Sequence, residues 1–499
     1  FFFFFKQKTA YEMCDGDWIS DVCSSDLDAN VDPQSGSNLE IFTLTCESEG
    51  LEPTVVQGRC LPNLPWEAVE EENTMICTYG AKGAYTPGCR FNENNQMIDE
   101  VDTPVEIISG CENFACWGKT SGGTIVDWGY DAVETRDGGF MITGYTESVG
   151  AGQADFLLLK LDETGNEQWL ETYGYSNVEW AHSVQQTSDD GFVVAGWTKS
   201  LGSGGHDFWI LKTDSSGVEQ WNTVLGGPND EEGKMVRQTD DGGYVIAGWT
   251  ESFVTGGGSD RDAWVARLDS SGNEVWTRNY GSQYDDAVFS VDITDDGNYV
   301  FAGYTQFAGS DKYDMWVFEV DDSGNVVWDN KMTDAPGADI GWSVKQTFDG
   351  GYILGGYTTS YGAGGTDIWL RKLDQNGNED GPGTWDRTYG WGSNEYIRSI
   401  IQSSDGGYVI AGFTYSNTAD GFGDAWVFKV DSSGNDSAPG SWSQVFGNNG
   451  QDAAYSVYET TENRFIMSGV TQYYAAGAYD LWILKLLNNG ECSGCFNGD

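Results

Sequence analysis

One tripeptide recurs along this chain and constrains everything else. An apolar run ends in glycine, an aromatic residue and threonine at Gly144-Tyr145-Thr146, Gly196-Trp197-Thr198, Gly248-Trp249-Thr250, Gly303-Tyr304-Thr305, Gly356-Tyr357-Thr358 and Gly412-Phe413-Thr414. A weaker seventh copy is Gly469-Val470-Thr471, and the spacings run from 52 to 57 residues. A repeat of that period is a supersecondary unit that cannot bury its apolar face alone, so the copies must stack against one another.

Each unit reads as four short strands. The first is a segment such as Ser183 to Thr187, closed by a turn such as Asp241-Gly242-Gly243. Strand two, as in Tyr244 to Ala247, holds the β-branched and aromatic residues that favour extended chain. Strand three starts at an aspartate followed by alternating large apolar residues, as at Asp262, Trp264 and Ala266, and turns through Asp269-Ser270-Ser271-Gly272-Asn273. Short Asp, Asn and Ser side chains hydrogen-bond to local amides in such turns, so adjacent antiparallel strands are specified locally.

The fourth strand carries a tryptophan. Trp128, Trp169, Trp221, Trp276, Trp328, Trp385 and Trp442 make seven, while the last unit stops after strand three, Leu481 to Leu486. On this reading Thr124 to Trp128 supplies the missing strand of the last unit, and the chain closes into an all-β, seven-bladed β-propeller with no open edge. Trp209, Trp264, Trp316, Trp369, Trp426 and Trp482 on strand three are expected between the blades as core.

The expected organisation is a small disulfide-rich region at 28–120, the propeller at 121–487 and a cysteine-containing tail at 488–499. Residues 1–27, from Phe1 through Cys14 and Cys23 to Leu27, resemble translated sequencing adapter found at the ends of metagenomic gene models, so a native signal peptide is expected to be missing. Cys46, Cys60, Cys77, Cys89, Cys111, Cys116, Cys492 and Cys495 all lie outside the repeats, which points to an oxidising compartment. Closure places Cys111 and Cys116 near Cys492 and Cys495, so a seam disulfide is expected; a zinc site is the alternative.

With 78 acidic and 25 basic residues the formal charge is -53. Such a field repels phosphate backbones and anionic headgroups, which argues against nucleic-acid binding. No apolar run is long enough for a membrane span, so membrane insertion is not expected. The natural counter-partners are cations.

The units resemble the repeat of bacterial and archaeal extracellular β-propellers, typified by Asp-x-Trp, Lys-Leu-Asp, Gly-Asn, Trp, Asp-Gly-Gly and Gly-Tyr-Thr. In the second and third units Trp209, Lys212, Asp214, Trp221, Thr239, Asp241, Gly243, Gly248 and Thr250 carry the resemblance. It implies a secreted or cell-surface protein and supplies no agreed active site. The seventh unit departs from it, with Glu462-Asn463 in the turn and Leu487 for Asp, and resembles an eroded terminal blade.

Strand direction puts the loops after strands two and four on one face. They are longer and more variable than the Asp-Gly-Gly and Ser-Gly-Asn turns opposite, so ligands are expected there. Two rings of carboxylates fall on that face. One is Glu179, Glu231, Asp286, Asp339, Glu395 and Asp452 ahead of strand one; the other is Asp155, Asp207, Asp262, Asp314, Asp367, Asp424 and Asp480 at the start of strand three. Recurrence in every unit favours hydrogen bonding to backbone, with calcium as the cofactor alternative.

The most variable position of strand one holds Asp131, His182, Lys234, Phe289, Trp342, Arg398 and Tyr455. Unlike polar and aromatic groups around an axis suit a composite ligand site, and stacking of a carbohydrate on Trp342, Phe289 or Tyr455 is the preferred reading. His182 and His206 are the only histidines, so a multi-histidine metal site is excluded and a Ser-His-Asp arrangement has few available bases. No cofactor is required by any motif. The expectation is a non-enzymatic extracellular or cell-surface binding module for a glycan or surface protein; the alternatives are a carboxylate-based polysaccharide-active enzyme and a structural spacer.

Overall fold

The computed structural model describes residues 116–492, apart from 256–259, 308–311, 333–335, 417, 419–420, 448–449 and 473–477, together with the backbone of five strands before residue 106. The chain forms two compact units, 1–115 and 116–499. In the first, Glu40–Cys46 pairs with Thr54–Cys60, and Thr74–Ile76, Thr86–Phe91 and Met97–Val105 form a second antiparallel sheet. Two bridges among Cys46, Cys60, Cys77 and Cys89 would suit the disulfide-rich region expected at 28–120, and these side chains lie outside the described residues.

The second unit is a seven-bladed propeller of four-stranded antiparallel sheets. Blade two shows the plan: Glu179–Gln186, Phe192–Thr198, Asp207–Thr213 and Glu219–Leu225 pair in sequence order. Its second and third strands are buried along their length, whereas the fourth is half exposed. Apolar clusters run between blades: Phe156 and Leu158 of blade one pack with Val184, Phe192, Val194 and Trp209 of blade two.

Closure uses a different strand from the one expected. Trp117–Ser121 pairs with Asp480–Leu486, whereas Asp127–Glu134, which contains Trp128, is strand one of the first blade. Trp117 stands opposite Lys485 as Trp169 stands opposite Lys160 and Trp221 opposite Lys212, so Trp117 is the seventh strand-four tryptophan. It packs edge-on against Phe140, the first residue of the next blade's second strand, as Trp221 does against Tyr244. The count of seven stands; the closing strand moves.

At the seam, Cys492 is disulfide-bonded and shares a buried cluster with Cys116. Cys111 and Cys495, the other members of the expected seam pairing, lie outside the described residues.

Strand one is innermost and ties the ring together. Its fifth residue accepts the amide N–H of the sixth residue in the next blade: Ala132 to Ser456, Val184 to Asp131, Val236 to Ser183, Val344 to Ser290, Ile400 to Ser343 and Val457 to Ser399. The remaining link is made by the Met235 sulfur, which accepts from Val291 at 3.4 Å. One such bond crosses each of the seven interfaces.

The opposite face is scaffold. Lys160, Lys212, Lys372, Lys429 and Arg267 are buried and pair with the turn aspartates Asp137, Asp189, Asp349, Asp405 and Asp241. In the seventh blade Glu462 takes the same role toward Lys485 at 3.2 Å, and Asn463 adopts the positive φ that Asp190 supplies in the second blade and glycine in the other five. That blade keeps the turn's chemistry with other residues.

Candidate functional site: the axial ring of the long-loop face

In every blade the pairing of strands one and two shifts register at the fourth residue of strand one. The residue left out of the ladder is Tyr130, His182, Lys234, Phe289, Trp342, Arg398 or Tyr455. A bulge re-aims its side chain and bends the strand. Six of the seven residues expected at the variable position are therefore bulge residues. The first is Tyr130, one position before Asp131, because Ala132 and not Val133 is the counterpart of Val184.

Asp131 has another task. Its carboxylate accepts the Val184 and Ala132 amides at 3.0 Å each, and so belongs to the ring of interblade bonds. Burial pushes the carboxyl up, opposed by Arg237 and these amides.

The bulge explains the glycine of the recurring tripeptide. A Cβ on Gly196 would lie 1.9 Å from the Trp180 carbonyl oxygen, and the same approach recurs at Gly144, Gly248, Gly303, Gly356, Gly412 and Gly469 at 1.7–2.1 Å. Only glycine lets strand two pass under the bulged strand. The threonine reaches across to the acid that opens strand one: Thr198, Thr250 and Thr414 donate to Glu179, Glu231 and Glu395 at 3.1, 2.8 and 2.9 Å, and Thr146 donates to Asp127. Asp127 is thus the seventh member of the first carboxylate ring, missed because Trp128 is misread as strand four.

The bulge residues, half-buried, contact one another around the axis. Tyr130 meets His182 edge-on at 4.7 Å and Tyr455 at 5.1 Å; Phe289 stacks on Trp342 at 4.2 Å. The Arg398 guanidinium lies 4.2 Å above Trp342 and 5.6 Å from Tyr455. Lys234 Nζ donates to His182 Nε2 at 3.2 Å and to Glu232 at 2.5 Å. Burial and the neighbouring Lys234 charge hold the His182 pKa well below its ordinary value, so His182 is a neutral acceptor. Burial alone would raise Glu232, but Lys234 and the two histidines bring it down, so it stays ionised.

His206 is not an ordinary loop-surface residue. It is 20% exposed, stacks on Trp197 at 4.0 Å and has Nδ1 3.3 Å from Glu232. Both histidines of the chain thus converge on one acid.

An aromatic crown surrounds this ring. The aromatic of the tripeptide packs with the second residue of strand one: Tyr145 stacks on Trp180 at 4.6 Å, Trp180 meets Trp197 at 5.0 Å, and Tyr396 stacks on Phe413 at 5.0 Å. Farther out, Tyr175, Phe253, Tyr361 and Trp391 in the long loops are exposed and lean on the strand-three tryptophans. Sequence reasoning missed the crown because its members come from different blades; the signal was the aromatic at the centre of six of the seven tripeptides.

The two carboxylate rings meet at the blade interfaces. A Cβ on Gly226 would lie 2.0 Å from Asp207 Oδ1 and 2.6 Å from Glu231 Oε2, and Gly174 and Gly390 are placed likewise toward Asp155 and Glu179 and toward Asp367 and Glu395. These acids are buried and accept backbone amides, as Glu231 does from Gly227 at 2.7 Å and Asp207 from Ser203 at 3.1 Å. Burial, then Glu231 and Asp230, push Asp207 up to about 6. Among the described residues, no group of three or more His, Cys, Asp or Glu side chains is arranged to hold a metal ion.

No family model matches the chain. It is 25% identical over 174 residues to the regulatory protein FlaEY of Caulobacter vibrioides, a stretch covering 30% of this chain and 18% of that one. Solved structures similar to it include Sqt1 from Chaetomium thermophilum, with 14% identity, a TM-score of 0.40, and coverage of 73% of this chain and 99% of that one. Another is the α-L-arabinofuranosidase Arb93A of Fusarium graminearum, with 11% identity, a TM-score of 0.41, and coverage of 61% and 92%.

Proposed function

We propose that this chain is a non-enzymatic extracellular or cell-surface binding module whose ligand is a glycan seated on the axial ring. The observation that carries this is the coincidence of seven β-bulges with seven side chains of six kinds in one ring, Tyr130, Phe289, Trp342 and Tyr455 among them, on the face with the long loops. Flat aromatic faces stack on the C–H faces of sugars, and the polar members fix orientation. The recurring acids support binding over hydrolysis, because they are buried at blade interfaces and already bonded to backbone and threonine. The disulfide at Cys492 and the acidic surface support an extracellular setting.

The test is a glycan array probed with the full chain, repeated with Trp342→Ala after circular dichroism has shown the variant folded. Binding that falls at least tenfold in the variant supports the reading. An array with no bound glycan, or binding indifferent to Trp342, overturns it.

A further inference from the structure

We infer that the glycan bound at the axial ring carries a carboxylate, which pairs with Arg398; this rests on the binding reading above and narrows its ligand.

The first ground is charge. Among the described residues, the other half-buried cations of strand one stand near acids: Lys234 pairs with Glu232, Lys345 pairs with Asp292, and the Arg237 charge acts on Asp131. Arg398 has none within ion-pair distance, although the chain holds 78 acidic residues. With His182 neutral and Lys234 offset by Glu232, the ring keeps one uncompensated positive charge, boxed by Trp342, Phe413 and Tyr455.

The second ground is hydrogen-bond polarity. Arg398 Nε and Nη1 and the indole N–H groups of Trp128, Trp180 and Trp342 are buried and make no hydrogen bond. The Tyr455 hydroxyl, beside Arg398 and Trp128, and the Tyr357 hydroxyl, beside Trp342, complete no well-directed bond to these atoms. Indole and guanidinium groups donate and cannot accept. The ring and its crown therefore present surplus donors, and a ligand that completes them must be rich in acceptors. Reaching the guanidinium requires it to turn off Trp342, so its donors exchange an unsatisfied setting for an ionic one.

A saccharide fits better than an acidic peptide. Extended peptides dock by pairing with an open strand edge, but the inner edge of strand one is crossed at every interface by the bonds described above. Trp342, backed by the stacked Phe289 ring, offers a flat face instead once the Arg398 guanidinium turns off it. The charge of -53 repels an anion at long range, yet at physiological salt that field is screened beyond roughly 8 Å, leaving the local donors to decide.

The experiment is calorimetric titration of the full chain in about 150 mM salt with an oligogalacturonate, its methyl ester and a polyglutamate peptide. The acid sugar is expected to bind roughly tenfold tighter than the ester. Arg398→Gln should bring the two within about twofold and Arg398→Lys should recover part of the difference. Ester binding as tight as acid binding, or a preference that survives Arg398→Gln, overturns the carboxylate and leaves the glycan reading intact. Polyglutamate binding as tightly as the acid sugar overturns the saccharide as the carrier. If neither sugar binds, this inference falls; the array then decides separately whether the glycan reading falls too.

Discussion

Ser456 in the last blade accepts the amide N–H of Ala132 in the first at 3.0 Å, a hydrogen bond that spans 324 positions of sequence and shuts the ring. Ser456→Ala leaves that buried amide without its interblade acceptor, which costs about 1–2 kcal/mol. Urea unfolding should show a lower midpoint with an unchanged slope. A midpoint equal to the parent's would mean the bond adds nothing to closure.

Gly196 passes beneath the bulge at His182, and a Cβ there meets the Trp180 carbonyl oxygen at 1.9 Å. Backbone on both sides leaves little room to yield, so Gly196→Ala should destabilise by about 3 kcal/mol. Thermal unfolding would register it. An unaltered melting temperature would show that the bulge is not rigid.

Tyr130 and Asp131 are neighbours with opposite duties. Tyr130→Ala should weaken glycan binding roughly tenfold, with a loss of stability that reflects only the ring packing against His182 and Tyr455 and no lost hydrogen bond. Asp131→Ala should cost about 2 kcal/mol of stability, because it deprives the Val184 amide of its acceptor, and should spare binding in the folded fraction. Paired calorimetry and denaturation would separate the two, and reversed effects would return Asp131 to the ligand ring.

Asp207 makes stability depend on pH. Its folded pKa, about 6, lies above the ordinary value of 3.8, so the folded state binds the proton more tightly than the unfolded chain. The contribution is full below the unfolded pKa, declines as pH rises between about 4 and 6, and is gone above that. Asp207→Asn should therefore be more stable than the parent at pH 7.5, and the difference should vanish below about pH 4. A variant that melts lower than the parent at pH 7.5 would instead point to a cation held by Asp207 and Glu231, and calcium titration of the parent would then raise its melting temperature.

The acid rings, the variable ring and the long-loop face were legible in the sequence because each recurs at the repeat period. Two errors of register came from one ambiguity, the choice between Trp117 and Trp128. A useful spacing was present: of the strand-four tryptophans all but Trp328, namely Trp117, Trp169, Trp221, Trp276, Trp385 and Trp442, stand five residues before a glycine, Gly122, Gly174, Gly226, Gly281, Gly390 and Gly447, whereas Trp128 stands five before Val133. Five of those glycines face carboxylates from two blades, and Gly281 faces Asp286, so the spacing reports an interface.

Repeat length, blade number and the turns of the scaffold face were determined by sequence alone, since hairpins form from residues close in the chain and the apolar pattern has the strand period. Tertiary structure decided which strand closes the ring, that Tyr130 and not Asp131 faces the axis, and that Arg398 stands among donors without a counter-charge. Those facts depend on where a carbonyl of strand one settles against a glycine of strand two and on which side chains seven different blades bring to one axis. No local run of residues encodes that convergence.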